Sequence, residues 1–216
     1  MRGAMTRRRR ALLAGVAVLA LTAAMAPWNP TEGCGEPSRT PPIIAFELAT
    51  DRADLAAVFG PPGACREALV RSFQIVDGID YAFMIAYGAM LAFALAALGA
   101  RRWTIAVAVA APIADAIENL ALFSIDVDAP GGWLPVLMVA ARAKFVLLGI
   151  ASCAIAVHTW RHEPGRARWL ALAHAPALPL ALAGVAVPAA APLLTPAFAA
   201  SWLAVVVWAA LRERRA

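Results

Sequence analysis

The chain has 216 residues, of which 62% are hydrophobic and 15% are charged, with a net charge of +5 and a mean hydropathy of +0.71. A soluble domain is roughly 45–50% apolar and about 25% charged, so this composition argues against a soluble protein. It indicates a membrane protein whose partner is the lipid bilayer. The positive charge does not indicate a nucleic-acid partner, because the arginines occur in short clusters between long apolar runs.

Six apolar runs are long enough to cross a bilayer, which takes about 20 residues. Backbone groups in lipid must hydrogen-bond within their own segment, so each run is expected to be helical. We predict an all-α fold, a polytopic transmembrane bundle of six spans with a small exported helical cap. The predicted spans are 11–28, 80–100, 103–125, 134–160, 169–187 and 193–211. Prolines at positions 112, 176 and 179 predict kinks inside spans rather than breaks.

The predicted organisation follows from these runs. Residues 1–28 form a membrane anchor, 29–79 an exported cap segment, 80–160 a core of three transmembrane helices and 161–168 a cytoplasmic loop. Residues 169–211 form a C-terminal pair of spans, and 212–216 a cytoplasmic tail. The first run also has the charged head, apolar core and Ala-x-Ala ending of a cleaved signal peptide, although Pro27 disfavours cleavage. Both interpretations export the segment that follows.

The arginines orient the bundle. They cluster in residues 1–10, at Arg101–Arg102, in 161–168 and in 212–216, while the intervening loops carry acids. Positive residues favour the cytoplasmic side, so both termini are predicted to be cytoplasmic and residues 29–79 to be exported, in a bacterial inner membrane. Cys34 and Cys65 both fall in the exported segment, where a disulfide between them is permitted; two free thiols are the alternative.

The exported segment is predicted to begin irregularly and then to form two short amphipathic helices. The first is capped by Thr50 or Asp51 and stopped by Gly60. The second runs into the second span, with Gly78 as a joint. The segment is interpreted as a passive cap over the bundle, with a partner-binding lid as the alternative.

Polar residues inside the spans form the candidate site. Asp115, Glu118 and Asn119 are spaced to share one helical face. An ionised group near the centre of a span costs about 3 kcal/mol, so such residues are expected to turn inward and pair. We predict that Lys144 pairs with Asp115 or Glu118, and that Arg142 is shielded by the other acid or leans outward. The full candidate cluster is Asp77, Asp80, Tyr87, Asp115, Glu118, Asn119, Arg142 and Lys144.

Acids outnumber bases in this cluster, so a carboxyl is expected to be protonated or a cation to be bound. Lys144 is the single lysine of the chain. A lysine pKa moves readily on burial, which suits proton transfer or gating, whereas a purely structural ion pair is the equal alternative. The three histidines match no metal-ligand spacing, so they are interpreted as interfacial residues. No metal, cofactor or catalytic residue is predicted, because the chain carries no nucleotide, nucleophile or zinc motif.

The stretches "IIAFELATD", "DYAFMIAYG", "ADAIENLALF" and a "KF" pair in the next span together resemble a family of small bacterial multi-pass membrane proteins. The likeness covers about residues 43–150, and the family has no assigned activity. The resemblance implies a set of positions that merit testing, namely Glu47, Asp80, Tyr87, Asp115, Glu118, Asn119 and Lys144.

Three classes of function remain open from the sequence. The first is a structural or accessory membrane protein whose ion pairs fix helix packing. The second is a carrier or channel for a small solute, an ion or a proton, with the polar cluster as its binding site. The third is an enzyme that acts on a lipid-linked substrate at the outer leaflet.

Overall fold

The structure is a computed structural model that describes residues 6–213, so the predicted N-terminal basic segment and C-terminal tail lie partly outside the described residues. The described chain is helical throughout and contains no strand. Six segments are long and apolar enough to cross a membrane. Their bounds are Arg7–Trp28, Ala64–Ala97, Arg102–Ser124, Trp133–His162, Ala167–Ala186 and Pro188–Leu211. The prediction of an all-α bundle with six spans is confirmed.

Nine α-helices build this bundle, counted over residues 6–213. They are α1 (Arg7–Met25), α2 (Pro42–Glu47), α3 (Arg52–Phe59), α4 (Ala64–Ala97), α5 (Arg102–Ser124), α6 (Trp133–His162), α7 (Ala171–His174), α8 (Ala177–Ala186) and α9 (Leu194–Glu213). Single 3₁₀ segments occupy Ala26–Trp28, Gly165–Leu170 and Pro188–Leu193. In the bundle α4, α5 and α6 pack in sequence, α1 lies against α4 and α9, and α8 lies against α6.

Glycines allow helices to approach closely, as Gly15 and Gly88 show. A Cβ at Gly15 of α1 would lie 2.6 Å from Val206 Cγ2 of α9. A Cβ at Gly88 of α4 would lie 2.8 Å from the Cγ of Pro112 in α5. Small residues at helix crossings are the usual means of close packing in membranes, where helix association depends on van der Waals contact.

The basic segments of the described chain lie together at one end of the bundle. Arg7 Nη1 donates to the carbonyl of Ala96 at the end of α4. Arg8 Nη2 lies 2.8 Å from Glu163 Oε1, just after α6, and its guanidinium stacks over Trp208. Trp208 Nε1 donates to the same carboxylate. These contacts tie α1 to the ends of α4, α6 and α9.

The opposite end carries the cap. Phe46, Phe59 and Phe73 bring α2, α3 and α4 together, with ring centroids 4.8 Å apart for Phe46–Phe59 and 5.7 Å for the other two pairs. A disulfide joins Cys34 to Cys65, so it ties the irregular opening of the cap to the first turn of α4.

Hydrogen bonds and an ion pair also hold the cap. Asp51 accepts a hydrogen bond from the Asp54 amide, and Asp54 accepts one from the Thr50 amide, which together cap α3. Arg66 bonds the carbonyl of Gly60 and pairs with Asp128 of the α5–α6 loop at 2.9 Å.

The structure departs from the sequence expectations in three places. Helix α4 is continuous through Gly78, so the cap helix and the second span are one rod of 34 residues without a joint. The short helix α2 occupies Pro42–Glu47, a stretch between the irregular opening and Thr50 for which the sequence predicted no element. The fifth span is interrupted at Ala175–Pro176 between α7 and α8, because prolines at 176 and 179 both lack the amide hydrogens that a continuous helix needs.

Candidate functional site

The centre of the site is the ammonium group of Lys144, on α6. Its Nζ lies 2.6 Å from Glu118 Oε2, 3.2 Å from Asp115 Oδ1 and 3.2 Å from Glu47 Oε2. The exposed fractions of these side chains are 8% for Lys144 and 0% for Glu118. Three carboxylates therefore surround one buried ammonium, and we call these four residues the lysine cluster.

Three separate elements supply the carboxylates and the amine. Asp115 and Glu118 stand one helical turn apart on α5, so both face the adjacent α6. Glu47 is the last residue of α2 and reaches the cluster from the cap. The lysine cluster therefore joins two spans to the segment that covers them.

Tyr87 of α4 extends the cluster. Its hydroxyl donates a hydrogen bond of 2.7 Å to Asp115 Oδ2, so this carboxylate bridges Tyr87 and Lys144. The Tyr87 ring is fully buried and stacks on Trp202 of α9, with centroids 5.4 Å apart and planes at 12°. This stacking fixes the orientation of the Tyr87 ring, and so it keeps the hydroxyl directed at Asp115.

A second hydrogen bond links α4 and α5 near the lysine cluster. Asn119 Nδ2 donates to Asp80 Oδ2 at 2.9 Å. Asp77, one turn before Asp80 on α4, is buried. It lies close enough to Glu47, Asp80 and Lys144 for their charges to act on its carboxyl group. Seven of the eight sequence-predicted residues thus lie in or beside the cluster.

The charges in the lysine cluster do not balance. Three ionised carboxylates against one ammonium would leave a net charge of −2 among side chains that are nearly removed from solvent. Uncompensated charge in a low-dielectric interior is avoided by taking up a proton. Glu118 Oε1 is buried and has no hydrogen-bond partner among the described residues, so a proton can bind there without displacing an existing contact.

Glu47 lies outside the spans, and its ionisation is shifted by its surroundings. Burial raises the pKa of its carboxyl above the ordinary value, Lys144 acts in the opposite direction, and the negative charge of Asp115 adds to the increase. The protonated form of Glu47 is thereby favoured at higher pH than in an unfolded chain.

Arg142 does not join the cluster: no acid among the described residues shields it, and its side chain instead leans toward the cap, the second of the two predicted alternatives. Its Nη1 donates to the carbonyl of Met138 at 3.0 Å, and its Nη2 lies 3.4 Å from the carbonyl of Leu48 in the cap. Residues two positions apart on a helix point in directions about 200° apart, so Arg142 faces away from the side of α6 that Lys144 occupies.

His174 is also placed differently from the expectation of an interfacial residue. It is 1% exposed, and its Nδ1 lies 2.7 Å from Ser201 Oγ, whose hydroxyl donates to Ser152 Oγ at 3.1 Å. This buried polar chain connects α7, α9 and α6. Within residues 6–213 no group of three His, Cys, Asp or Glu side chains is arranged to hold a metal ion.

Two residues of the site, Glu47 and Trp202, are not predicted by any motif in the sequence. Glu47 entered only through the family resemblance, although an acid flanked by "PPIIAF" and "LA" already indicates a buried carboxyl. Trp202 was treated as part of an apolar span, and no pattern in the sequence predicts its stacking on Tyr87, which depends on the approach of α9 to α4.

Comparison of the chain with protein-family models, with curated proteins and with solved structures found no match.

Proposed function

We propose that this multi-pass membrane protein binds and releases a proton at the lysine cluster, as the coupling site of a carrier or channel for a small solute or ion. The observation that carries the proposal is the contact of one buried ammonium with three carboxylates at 3.2 Å or less. A structural ion pair needs one acid for one base, whereas this arrangement has two acids in excess.

The geometry assigns separate tasks to the residues. Glu118 takes the proton at Oε1, since its other oxygen is already held by Lys144. When Glu118 is protonated, two carboxylates remain against one ammonium, a net charge of −1, and Lys144 contacts both of them, Asp115 Oδ1 and Glu47 Oε2, at 3.2 Å. Tyr87 keeps Asp115 in place throughout, because its hydrogen bond is independent of the lysine.

Infrared difference spectroscopy of the full chain in bilayers tests this assignment. We expect a pH-dependent carbonyl stretch from a protonated carboxyl in the wild type, and the loss of that band in Glu118→Gln. The matched control is Glu67→Gln, an exposed acid in the first turn of α4, which should leave the band unchanged. A spectrum without such a band, or a band that survives Glu118→Gln, contradicts the proposal.

A structural role is the second candidate, and the position of Glu47 favours it. This residue carries a cap carboxylate onto Lys144, so the cluster also fastens the cap to α5 and α6. In that case all cluster carboxyls keep one protonation state across the pH range in which the protein is folded. Proton movement into proteoliposomes under an imposed membrane potential separates the two candidates, because a structural cluster gives the same flux in wild type and Lys144→Met.

We infer further that the cap lies on the outer face of a bacterial inner membrane and that both termini are cytoplasmic. The basic ends of α1, α4 and α6 meet at one end of the bundle, and the disulfide-bonded cap covers the other. In intact cells a membrane-impermeant maleimide should label Ser38→Cys in the cap but not Ala167→Cys. Labelling of the second variant instead of the first would reverse this topology.

A further inference from the structure

A cleft of about 780 Å³ lies between the cap and the end of α8, separate from the lysine cluster. The cap contributes Pro42, Ala45 and Leu48 to its walls, and the α8 side contributes Val185 and Pro188. This volume falls in the range of small-molecule sites, which are mostly apolar with a few polar groups that fix orientation. Arg142 lines the cleft and places a cation between these apolar walls.

Among residues 6–213, the guanidinium of Arg142 has no acidic partner. Two carbonyl oxygens, of Met138 and Leu48, accept its hydrogen bonds, and no carboxylate lies within ion-pair distance of it in the described part of the chain. A guanidinium carries five N–H donors, so three remain after those two contacts. The side chain is partly buried, unlike those of Arg7, Arg9 and Arg10, which are exposed.

A partly buried cation without a counter-ion is unfavourable, and an oxyanion in the cleft would remove that cost. The planar fork of arginine matches a carboxylate or a phosphate through two parallel hydrogen bonds. Three further acids line the cleft, namely Glu32, Glu36 and Asp54. All three are exposed, and Asp54 already accepts hydrogen bonds from Thr50. One cation against three acids leaves the lining with a net charge of −2, so an anion fits the cleft only in direct contact with Arg142, and a single negative charge is repelled least.

We propose that the cleft binds a singly charged oxyanion, a carboxylate or phosphodiester group, with Arg142 as its cationic ligand and the apolar walls of α2 and α8 around the rest of the molecule. Two sources carry this chemistry, namely the headgroup of an anionic phospholipid in the adjacent leaflet and a water-soluble monoanion. The site does not depend on proton binding at the lysine cluster, since Arg142 and Lys144 lie on different sides of α6.

The test uses the full chain purified in neutral detergent, with two phosphodiester probes. Dihexanoyl phosphatidylglycerol represents the lipid source, and dimethyl phosphate represents the soluble source. Binding is measured by tryptophan fluorescence and by the shift in unfolding temperature. We expect at least one probe to bind saturably, and Arg142→Gln to weaken that binding at least tenfold. Saturable binding of the lipid probe alone identifies the lipid headgroup as the source of the oxyanion. Binding of both probes shows that the phosphodiester group is sufficient for recognition.

Three variants keep the result interpretable. Arg39→Gln removes an exposed cap arginine that does not line the cleft, so it should bind as the wild type does. Arg142→Lys keeps the charge without the fork and should weaken binding several-fold. Ala186→Glu leaves Arg142 intact and adds a carboxylate at an exposed position of the cleft wall, so it should also weaken binding. If neither probe saturates, or if binding survives both Arg142→Gln and Ala186→Glu, the cleft is not an oxyanion site.

Discussion

Replacement of Lys144 by methionine removes the one positive charge that holds three carboxylates together. Glu118 is fully buried and Asp115 is 6% exposed, so neither acid gains compensation from solvent when the ammonium is lost. Breaking a buried ion pair from one side costs about 3–5 kcal/mol. We expect Lys144→Met to lose about this much stability, which is a large share of the roughly 5–15 kcal/mol of a typical fold.

A double-mutant cycle with Glu118→Gln isolates the pairing energy. If Lys144 stabilises an otherwise repulsive set of acids, then neutralising one acid should recover part of the loss, with a coupling of about 1–3 kcal/mol. The assay is reversible unfolding of the detergent-solubilised protein by denaturant, followed by tryptophan fluorescence. The matched control is the exposed pair Glu67 and Arg71 on α4, for which we expect at most about 0.5 kcal/mol. Additive losses for Lys144→Met and Glu118→Gln would refute the reasoning.

Three further changes probe the surroundings of the lysine cluster. Tyr87→Phe should cost about 1.5–3 kcal/mol in the same unfolding assay, because it deletes the hydrogen bond to the Asp115 carboxylate and keeps the stacked ring. Gly88→Ala should lower the free energy of unfolding by about 1–3 kcal/mol, because the new Cβ meets a proline ring of α5. Its control is Gly78→Ala on the same helix, where the new Cβ meets no atom within 4 Å, so that change should be neutral or stabilising by up to about 1 kcal/mol. Burial raises the pKa of Glu47 above its ordinary 4.5, so the stability that its protonation contributes is complete below pH 4.5 and is lost as the pH rises through the raised pKa. The stability of wild type relative to Glu47→Gln should therefore increase as the pH is lowered from about 8 to about 5. A difference that stays constant over this range would contradict the prediction.

The sequence was sufficient for the six spans and for the helical face that bears Asp115 and Glu118. Both depend on local regularities, since the bilayer requires long apolar helices and a spacing of three residues places side chains on one face. The prolines at 176 and 179 predicted a kink in the fifth span but not that α7 ends at His174 and α8 begins at Ala177, because prolines within a membrane helix are tolerated or not according to what neighbouring helices supply.

The tertiary structure decided which polar groups meet. The spacing of Arg142 and Lys144 shows only that they face different sides of α6. The packing of α5 on α6 and of α2 above them gives Lys144 three carboxylates and leaves Arg142 beside an open cleft. The contact of Tyr87 with Trp202 likewise joins residues far apart in the chain. The sequence alone therefore determines that these charges must be turned away from lipid, because exposing them there is too costly. Which partner each charge finds depends on the crossing of helices distant in sequence, where small residues such as Gly88 allow close approach.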